Sequence, residues 1–214
     1  MSRLKIKVCG MRHIENIARI SELKPDLMGF VFYPASDRYA GEVAAEELQK
    51  GIPHGIIKTG VFVDEDLYSV KAIVMRYGLK AVQLHGNESP EMCSQLMSIG
   101  IKVIKAFKIN ENVDFSRMMA YVNCCHWFLF DTDTKTHGGS GEHFNWNILD
   151  KYELGHPFFL SGGIGSADAE RILELAHPAL IGVDINSRFE SMPGMKDVER
   201  VKRFINKIRG IKHE

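Results

Sequence analysis

The chain has 214 residues, which suits one large domain or two small ones, and its 45% hydrophobic residues can bury a sizeable core. Its 27 Lys and Arg residues balance 27 Asp and Glu residues, which argues against a nucleic-acid-binding protein, because phosphate backbones require a basic face. No stretch approaches the roughly 20 apolar residues of a membrane span, and the N-terminal residues lack the apolar segment of a signal peptide. We therefore expect a cytoplasmic protein that binds neither nucleic acid nor membrane.

Eight short apolar runs recur along the chain, most of them followed by a polar turn and an amphipathic stretch. They are rich in Val, Ile and Phe, and several do not alternate strictly, which is typical of strands buried on both faces of a parallel sheet. The runs cover residues 4–9, 27–32, 56–63, 81–85, 101–107, 126–131, 157–161 and 180–184. They predict eight parallel strands joined by right-handed crossovers.

The stretches between these runs carry helix signals of unequal strength. Ser89 followed by Pro90 predicts an N-cap and a first helical residue, and Ser166 predicts the cap of a helix over 167–175. Two stretches place their apolar side chains on one stripe, as a helix with one buried face does: residues 64–77 and 197–208. The pattern is weakest in residues 115–121 and 146–149.

This alternation of strand and helix predicts a (β/α)8 barrel, or TIM barrel, that occupies residues 1–214 as a single domain. An open dinucleotide-binding sheet would carry G-x-G-x-x-G after its first strand, whereas Cys9-Gly10-Met11 stands there. Barrel enzymes place their active sites on the loops after the C-terminal strand ends. The candidate site residues are therefore the polar and reactive residues at those ends.

Three strands end in residues suited to acid–base chemistry. Cys9 ends the first strand; a buried cysteine is usually a small hydrophobic residue, but here a thiolate could act as a base if a positive group favours it. Asp131 ends the sixth strand and is either a cap for the following loop or a general acid. Asp184 ends the eighth strand, where its carboxylate could raise the pKa of Asp131 and so keep that acid protonated.

Polar residues also follow the second and fourth strands. Gln83 and His85 share one face of the fourth strand by alternation. We interpret His85 as a hydrogen-bonded structural residue and Gln83 as a candidate contact to a substrate hydroxyl or a catalytic group. Arg38 follows the second strand and could either fork onto a carboxylate or be an ordinary surface arginine.

Glycine-rich segments follow the last three strands. Residues 161–165 (SGGIG) follow the seventh strand, and residues 182–187 (GVDINS) span the end of the eighth. Barrels often hold phosphate between these two loops, where glycines let backbone N–H groups approach it, so we predict a phosphate site rather than two ordinary turns. Residues 137–141 (HGGSG), after the sixth strand, predict a mobile lid or an exposed flexible loop.

The cysteine pattern points away from metal binding. The four cysteines form no C-x-x-C pair, and none has the Cys/His spacing of a zinc site. We expect four reduced thiols and no metal: Cys9, Cys93, Cys124 and Cys125.

Six segments together resemble the phosphoribosylanthranilate isomerase family: KVCGM, GFVFYPASDRY, VQLHG, FDTDTKTHGGSGEHFNW, LSGGI and the stretch from GVDINSRFE to PGMKD. The resemblance covers nearly the whole chain. It implies a cofactor-free TIM-barrel enzyme of tryptophan biosynthesis, acting as a monomer or homodimer on a phosphosugar that carries an anthranilate. The implied reaction is the Amadori rearrangement of N-(5-phosphoribosyl)anthranilate to 1-(2-carboxyphenylamino)-1-deoxyribulose 5-phosphate.

The resemblance also implies roles for individual residues. Cys9 would be the general base, Asp131 the general acid, and Arg38 the residue that holds the anthranilate carboxylate. Gln83 and Asp184 complete the candidate substrate-binding set. The implied phosphate-binding residues are Gly163, Ile164, Asn186 and Ser187.

The chain departs from the family pattern at two positions. Arg188 stands where the family commonly has glycine, which would alter the phosphate cradle or add charge to it. Asp37 stands where a proline usually precedes the arginine, and its carboxylate would weaken the hold of Arg38 on the substrate.

Three other functions are compatible with a barrel. A Schiff-base aldolase acting on a phosphosugar would use a strand lysine such as Lys58 or Lys105. The related sugar isomerase of histidine biosynthesis resembles two half-barrels with a catalytic carboxylate from each, whereas the first strand here ends in Cys9. A catalytically inactive barrel used as a binding module is disfavoured by the presence of both Cys9 and Asp131.

Overall fold

The computed structural model describes residues 3–132 and 146–211, and its main sheet closes into an eight-stranded barrel. Every neighbouring pair of strands is parallel, and β1 pairs with both β2 and β8, which closes the ring. The strands are β1 (Lys5–Val8), β2 (Leu27–Val31), β3 (Ile57–Phe62), β4 (Ala81–Leu84), β5 (Lys102–Ile109), β6 (Trp127–Thr132), β7 (Phe158–Ser161) and β8 (Leu180–Ile185). The predicted (β/α)8 barrel is confirmed.

Helices connect the strands, although not all of them are α-helices. The α-helices are α1 (Ile14–Glu22), α2 (Ala45–Lys50), α3 (Leu67–Tyr77), α4 (Pro90–Ser98), α5 (Ala169–Glu174) and α6 (Val198–Ile208). The two segments with the weakest helical pattern are 3₁₀ helices: Phe115–Tyr121 and Trp146–Lys151. Both segments bury apolar side chains, including Phe115 and Trp146, so tertiary packing holds them where local propensity is poor.

The helix starts agree with the sequence at α4 and differ slightly at α3. Ser89 caps α4 by accepting a hydrogen bond from the Met92 N–H, with Pro90 in the first helical position. Helix α3 was predicted from residue 64 but begins at Leu67, because Asp64 has a φ of 51° and lies in the turn before it. Asp66 is the N-cap instead.

The predicted cap at Ser166 is wrong. Ser166 lies inside a 3₁₀ turn, Ser166–Asp168, that leads directly into α5. Gly165 precedes that turn, and its backbone N–H donates to the Asp168 carboxylate at 2.7 Å. A carboxylate three residues along the chain therefore satisfies this terminus, which a search for a capping serine overlooks.

Two apolar layers hold the barrel and leave its C-terminal end open. The barrel interior is filled by a cluster of buried side chains: Leu27, Ile104, Ala106, Leu129 and Phe159. A larger apolar layer lies between the strands and the helices. After β8, a short antiparallel hairpin of β9 (Glu190–Met192) and β10 (Met195–Lys196) precedes α6. Every helix in residues 3–132 and 146–211 is too short or too polar to cross a membrane.

Candidate active site

A cavity of about 380 Å³ opens at the C-terminal ends of the strands. It brings together eight of the nine predicted site residues from five strand ends: Cys9, Gln83, Asp131, Gly163, Ile164, Asp184, Asn186 and Ser187. Arg38 lies just outside the cavity wall, and the predicted lid, residues 137–141, falls outside the described residues.

Cys9 sits where β1 opens into the cavity. Its backbone N–H donates to Ile185 O at 2.9 Å, which extends the pairing with β8. Its thiol packs over Gly29 of β2, where an added Cβ would lie 2.6 Å from Sγ. Gly10 then turns the chain with a φ of 72°. Burial raises the pKa of the Cys9 thiol, and the ammonium of Lys7 opposes that rise.

Lys7 points into the barrel beside Cys9, because the two residues are two apart on one strand. Its side chain is 0% exposed, and Nζ donates to Asp184 Oδ2 at 2.9 Å. Burial acts to lower the pKa of Lys7, but the Asp184 carboxylate and the Cys9 thiol outweigh it, so the pKa is raised. A buried cation held by Asp184 therefore lies beside the candidate base.

Asp131 is held by the residue that follows β4. His85 Nε2 lies 3.1 Å from Asp131 Oδ2, and His85 Nδ1 accepts from Gln83 Nε2 at 2.8 Å. Because Gln83 donates to Nδ1, the neutral imidazole carries its proton on Nε2 and donates it to Asp131. His85 is hydrogen-bonded as expected, but its partner is the candidate acid, which places it within the site.

Asp184 faces the acid across the cavity. Burial raises the pKa of Asp184, the Lys7 ammonium opposes the rise, and the Asp131 carboxylate adds to it. The two carboxyl groups line the same cavity. The position of the Lys7 ammonium on Asp184 was not predicted.

Arg38 is bound by a carboxylate from a distant part of the chain. Its Nε lies 2.9 Å from Glu190 Oε1 and its Nη2 lies 2.6 Å from Glu190 Oε2. Lys196 donates to the same carboxylate and also to Asn186 Oδ1, at 2.5 and 2.8 Å. The expected competitor, Asp37, makes no ion pair with Arg38 among the described residues; its backbone carbonyl accepts from Arg12 instead. The carboxylate on Arg38 is therefore Glu190.

Two neighbouring cations, Arg38 and Lys196, keep the carboxyl group of Glu190 ionised. Burial acts to raise the pKa of Glu190, but hydrogen bonds from Arg38 and Lys196 outweigh it and hold the pKa low. The same carboxylate raises the pKa of Arg38. The hairpin after β8 is thereby tied to the loop after β2.

The two glycine-rich loops meet at one side of the cavity. Gly162 and Gly163 have φ values of 88° and 62°, so consecutive residues adopt the left-handed conformation that favours glycine. Asn186 and Ser187 reach the same wall from the end of β8. The side chain of Arg188 is exposed. It lies against the loop after β7, because a Cβ added at Gly165 would be 3.3 Å from Arg188 Cδ. The departure at Arg188 therefore adds a cation beside this loop pair.

Sequence reasoning missed three residues of this region: Lys7, His85 in its contact with Asp131, and Glu190. Lys7 had a usable signal, because strand alternation places residues 7 and 9 on one face. Glu190 had none, since only tertiary structure brings it to Arg38, 152 residues away. All four cysteines are buried free thiols, and among the described residues no group of three His, Cys, Asp or Glu side chains could hold a metal ion.

Comparison with known proteins identifies the family of the chain. Residues 6–207 match the family described as N-(5'phosphoribosyl)anthranilate (PRA) isomerase. Proteins named N-(5'-phosphoribosyl)anthranilate isomerase from Phocaeicola vulgatus and Parabacteroides distasonis are 41% and 42% identical to the chain. Each comparison covers 95% of this chain, and 97% and 92% of the two relatives.

Solved structures of the family share the fold. Phosphoribosyl anthranilate isomerase from Thermotoga maritima superimposes with a TM-score of 0.81 at 32% identity over 97% of this chain and 99% of the other. A structure of the isomerase bound to reduced 1-(o-carboxyphenylamino)-1-deoxyribulose 5-phosphate gives 0.79 at 29% identity, with the same coverage. The family predicted from the sequence, an aldose–ketose isomerase family, is confirmed. The chain belongs to the phosphoribosylanthranilate isomerase family.

Proposed function

We propose that the chain isomerises N-(5-phosphoribosyl)anthranilate to 1-(2-carboxyphenylamino)-1-deoxyribulose 5-phosphate without a cofactor, in tryptophan biosynthesis. Cys9 is the general base and Asp131 the general acid. The observation that carries the proposal is that both side chains line one cavity at the C-terminal end of the barrel, beside the paired glycine-rich loops. A substrate held there would meet an acid and a base at the same time.

The acid acts first. Asp131 protonates the ring oxygen of the furanose, the C1–O bond breaks, and the lone pair of the anthranilate nitrogen forms the C=N bond of an iminium. The Asp131 side chain is 30% exposed, which leaves it accessible to a ligand. His85 holds Oδ2, so we assign the transferred proton to Oδ1.

The base completes the rearrangement. The iminium acidifies the hydrogen on C2, and the Cys9 thiolate removes it, which leaves an enolamine that tautomerises to the ketone. Each of the two groups would contribute about 10²–10⁴-fold to the rate. No oxidant or reductant is needed, because hydrogen lost at C2 is balanced by hydrogen gained at C1.

Two buried acceptors support the substrate-binding roles of Gln83 and Asp184. Among the described residues, neither Gln83 Oε1 nor Asp184 Oδ1 has a hydrogen-bond partner, although both atoms are buried. Both residues line the cavity, and leaving a buried acceptor unpaired is costly. Hydroxyl groups of the sugar would satisfy these two atoms.

The substrate ends are anchored by charge. The phosphate binds between the loops that contain Gly163, Ile164, Asn186 and Ser187. The anthranilate carboxylate binds the free edge of the Arg38 guanidinium: Glu190 takes Nε and Nη2, and Nη1 makes no hydrogen bond within the described residues. Glu190 therefore orients Arg38 instead of excluding the substrate. Because one chain lines the cavity, we propose that a monomer and a homodimer are both competent.

The aldolase alternative fits the strand lysines poorly. Burial and the nearby Lys80 lower the pKa of Lys58, but Lys58 does not line the cavity. Lys105 makes hydrogen bonds to Leu84 O, Gly86 O and Glu88, and its strand neighbours Ile104 and Ala106 are the residues that fill the barrel. Lys7 does point inward, but its pKa is raised, whereas a Schiff-base lysine needs a lowered pKa to be nucleophilic. Borohydride trapping of a covalent sugar adduct would contradict this interpretation.

The test of the proposed function is turnover of phosphoribosylanthranilate by the purified chain. Cys9→Ala and Asp131→Asn should each lower kcat by about 10²–10⁴-fold with the fold intact by circular dichroism. Cys93→Ala, at a buried thiol that does not line the cavity, is the matched control and should keep wild-type turnover. Wild-type kcat in Cys9→Ala would remove the thiol from the mechanism, and no turnover by the wild type would reject the function.

A further inference from the structure

Lys7 is a charged side chain sealed inside the barrel, and the reaction as described gives it no direct role. It is 0% exposed and is held by Asp184 at 2.9 Å. Its ammonium also lies against Gly29: a Cβ added there would lie 3.1 Å from Nζ and 2.6 Å from Cys9 Sγ. The cation and the thiol therefore occupy the same small space above β2.

We propose that Lys7 is a positioning residue that stabilises the thiolate of Cys9 against the effect of burial, with Asp184 holding the ammonium in place. The inference rests on the proposed role of Cys9 as the base. Lys7 itself does not touch the reacting atoms. Its effect is electrostatic: a fixed cation beside the thiol favours the charged state that can accept the proton from C2.

Lys7 is the cation that acts most strongly on the Cys9 thiol. Burial works against the thiolate, and of the charged neighbours Lys7 acts most strongly to lower the pKa of Cys9. Asp184 acts in the opposite direction but more weakly, and Lys196 assists. Arg38 also interacts with the thiol, and the single carboxylate of Glu190 offsets only one of the two charges on Arg38 and Lys196. Across the cavity lie Asp131 and its partner His85.

Burial strengthens this coupling. Water screens charges at a surface, whereas the space around Lys7 is closed to solvent, so the ammonium acts at low effective dielectric. Asp184 fixes the position of Nζ and raises its pKa, so the cation persists across the neutral range. A lysine that only filled space would require none of these contacts with the thiol.

The chain contains a matched comparison. Lys105 is also a buried strand lysine, and its carboxylate partner is Glu88 at 2.9 Å. Its side chain points out of the barrel interior and does not touch Cys9. Removing either lysine leaves one buried carboxylate without its cation, so both variants should lose stability through the same cause. Only the loss of Lys7 should change the rate at which the Cys9 thiol is alkylated.

The experiment measures the Cys9 thiolate directly. Iodoacetamide alkylation of Cys9 is followed by peptide mass spectrometry from pH 6 to pH 10 in the wild type, Lys7→Met, Lys7→Arg and Lys105→Met. We expect Cys9 alkylation at neutral pH to slow by roughly tenfold in Lys7→Met, since an opposite charge at this range is worth one or more pKa units. Lys7→Arg keeps the charge and should recover most of the rate, and Lys105→Met should match the wild type.

Protein that unfolds is recognised in the same data, because Cys93, Cys124 and Cys125 would then be alkylated as well. If Lys7→Met does not fold, the double variant Lys7→Met with Asp184→Asn removes the cation without leaving an unpaired carboxylate. It should still be alkylated more slowly than the wild type, by a smaller factor, because the loss of Asp184 partly offsets the loss of Lys7. In the variants that lack Lys7, the acid limb of the pH profile of kcat/KM should also move to higher pH. Wild-type alkylation of Cys9 in folded Lys7→Met, or in the double variant, would overturn the proposal.

This readout separates two failures. Alkylation reports the thiolate without any turnover, so the coupling of Lys7 to Cys9 is measured independently of the reaction. If Lys7→Met changes alkylation but Cys9→Ala turns over normally, the proposed base is wrong and the electrostatic coupling stands. If Cys9→Ala is inactive and alkylation is unchanged in Lys7→Met, the base stands and the role of Lys7 is rejected.

Discussion

The imidazole of His85 is hydrogen-bonded to the carboxylate of Asp131, with 3.1 Å between Nε2 and Oδ2. Gln83 holds the opposite ring nitrogen at 2.8 Å. A residue from the end of β4 therefore orients the candidate acid at the end of β6. The contact explains why Gln83, within β4, and His85, directly after it, are polar and share one face.

The first prediction concerns this contact. His85→Asn should lower kcat by about 10–100-fold, less than the loss in Asp131→Asn, because the acid remains but loses its fixed orientation. KM should change little. The control is His126→Asn, since His126 accepts a hydrogen bond from the Val103 N–H at the opposite end of the barrel. Equal kinetic losses in both variants would mean that the effect is structural.

A second prediction follows from the buried carboxylate of Glu190. Its partners lower its pKa in the folded state, so it stabilises the protein fully above its unfolded pKa of about 4.3. That stability is lost as the pH falls from there through the folded pKa. Glu190→Gln should cost about 3 kcal/mol in the free energy of unfolding at pH 7, because Arg38 and Lys196 lose their anion.

Chemical denaturation of wild type and Glu190→Gln at several pH values checks this prediction. The difference between the two curves should shrink as the pH falls below about 4. Glu42→Gln is the matched control, because Glu42 pairs with Arg12 at the surface with its side chain 72% exposed, and it should have little effect. A difference that stays constant down to the lowest pH would show that the charge of Glu190 is not responsible.

The barrel and the candidate site were predictable to different degrees. The eight strands follow from apolar runs such as residues 81–85, because strands buried on both faces need little beyond a short apolar sequence. Segment 115–121 illustrates the limit: its weak helical pattern becomes a 3₁₀ helix, and packing of Phe115 rather than propensity decides it.

The contacts of the candidate site were also predictable from the sequence to different degrees. Cys9 and Asp131 could be placed because each terminates a strand, and the barrel topology brings strand ends together. The pairing of Arg38 with Glu190 could not, since nothing in either local sequence encodes a contact made through the hairpin after β8. Asp37, the neighbour in sequence, acts on Arg38 only through its charge, and the ion-pair partner is Glu190.

The third prediction tests the phosphate loops. Inorganic phosphate should raise the melting temperature, and saturation to about 100 times the Kd corresponds to about 2.7 kcal/mol. Gly163→Ala should reduce this shift, because a side chain at a φ of 62° strains the backbone that approaches the phosphate. Gly155→Ala is the control: Gly155 has a φ of 66° and open space around it, so it suffers similar strain away from the site.

Calorimetric melting scans of both variants at increasing phosphate concentrations test this prediction. Gly155→Ala should melt lower than the wild type without phosphate but gain the full shift when phosphate is added. An equal shift in Gly163→Ala would place phosphate elsewhere. Absence of any shift in the wild type at high phosphate would contradict a preformed site.

The fourth prediction concerns the glycine that follows the candidate base. At Gly10, a Cβ would lie 2.6 Å from Asn186 Oδ1 and 2.7 Å from Arg38 Cδ, so Gly10→Ala must displace both a phosphate-loop residue and the carboxylate-binding arginine. We expect kcat/KM to fall by about 100-fold, since small misplacements near the reacting groups carry losses of that order. Gly100→Ala separates this effect from backbone strain, because Gly100 has a φ of 81° with no atom near its absent Cβ. Both variants should lose about 1–3 kcal/mol of stability from the left-handed backbone, yet only Gly10→Ala should lose activity. Comparable activity in the two variants would mean that the loop after β1 adapts and that the close approach of Asn186 and Arg38 to Gly10 is not needed for catalysis.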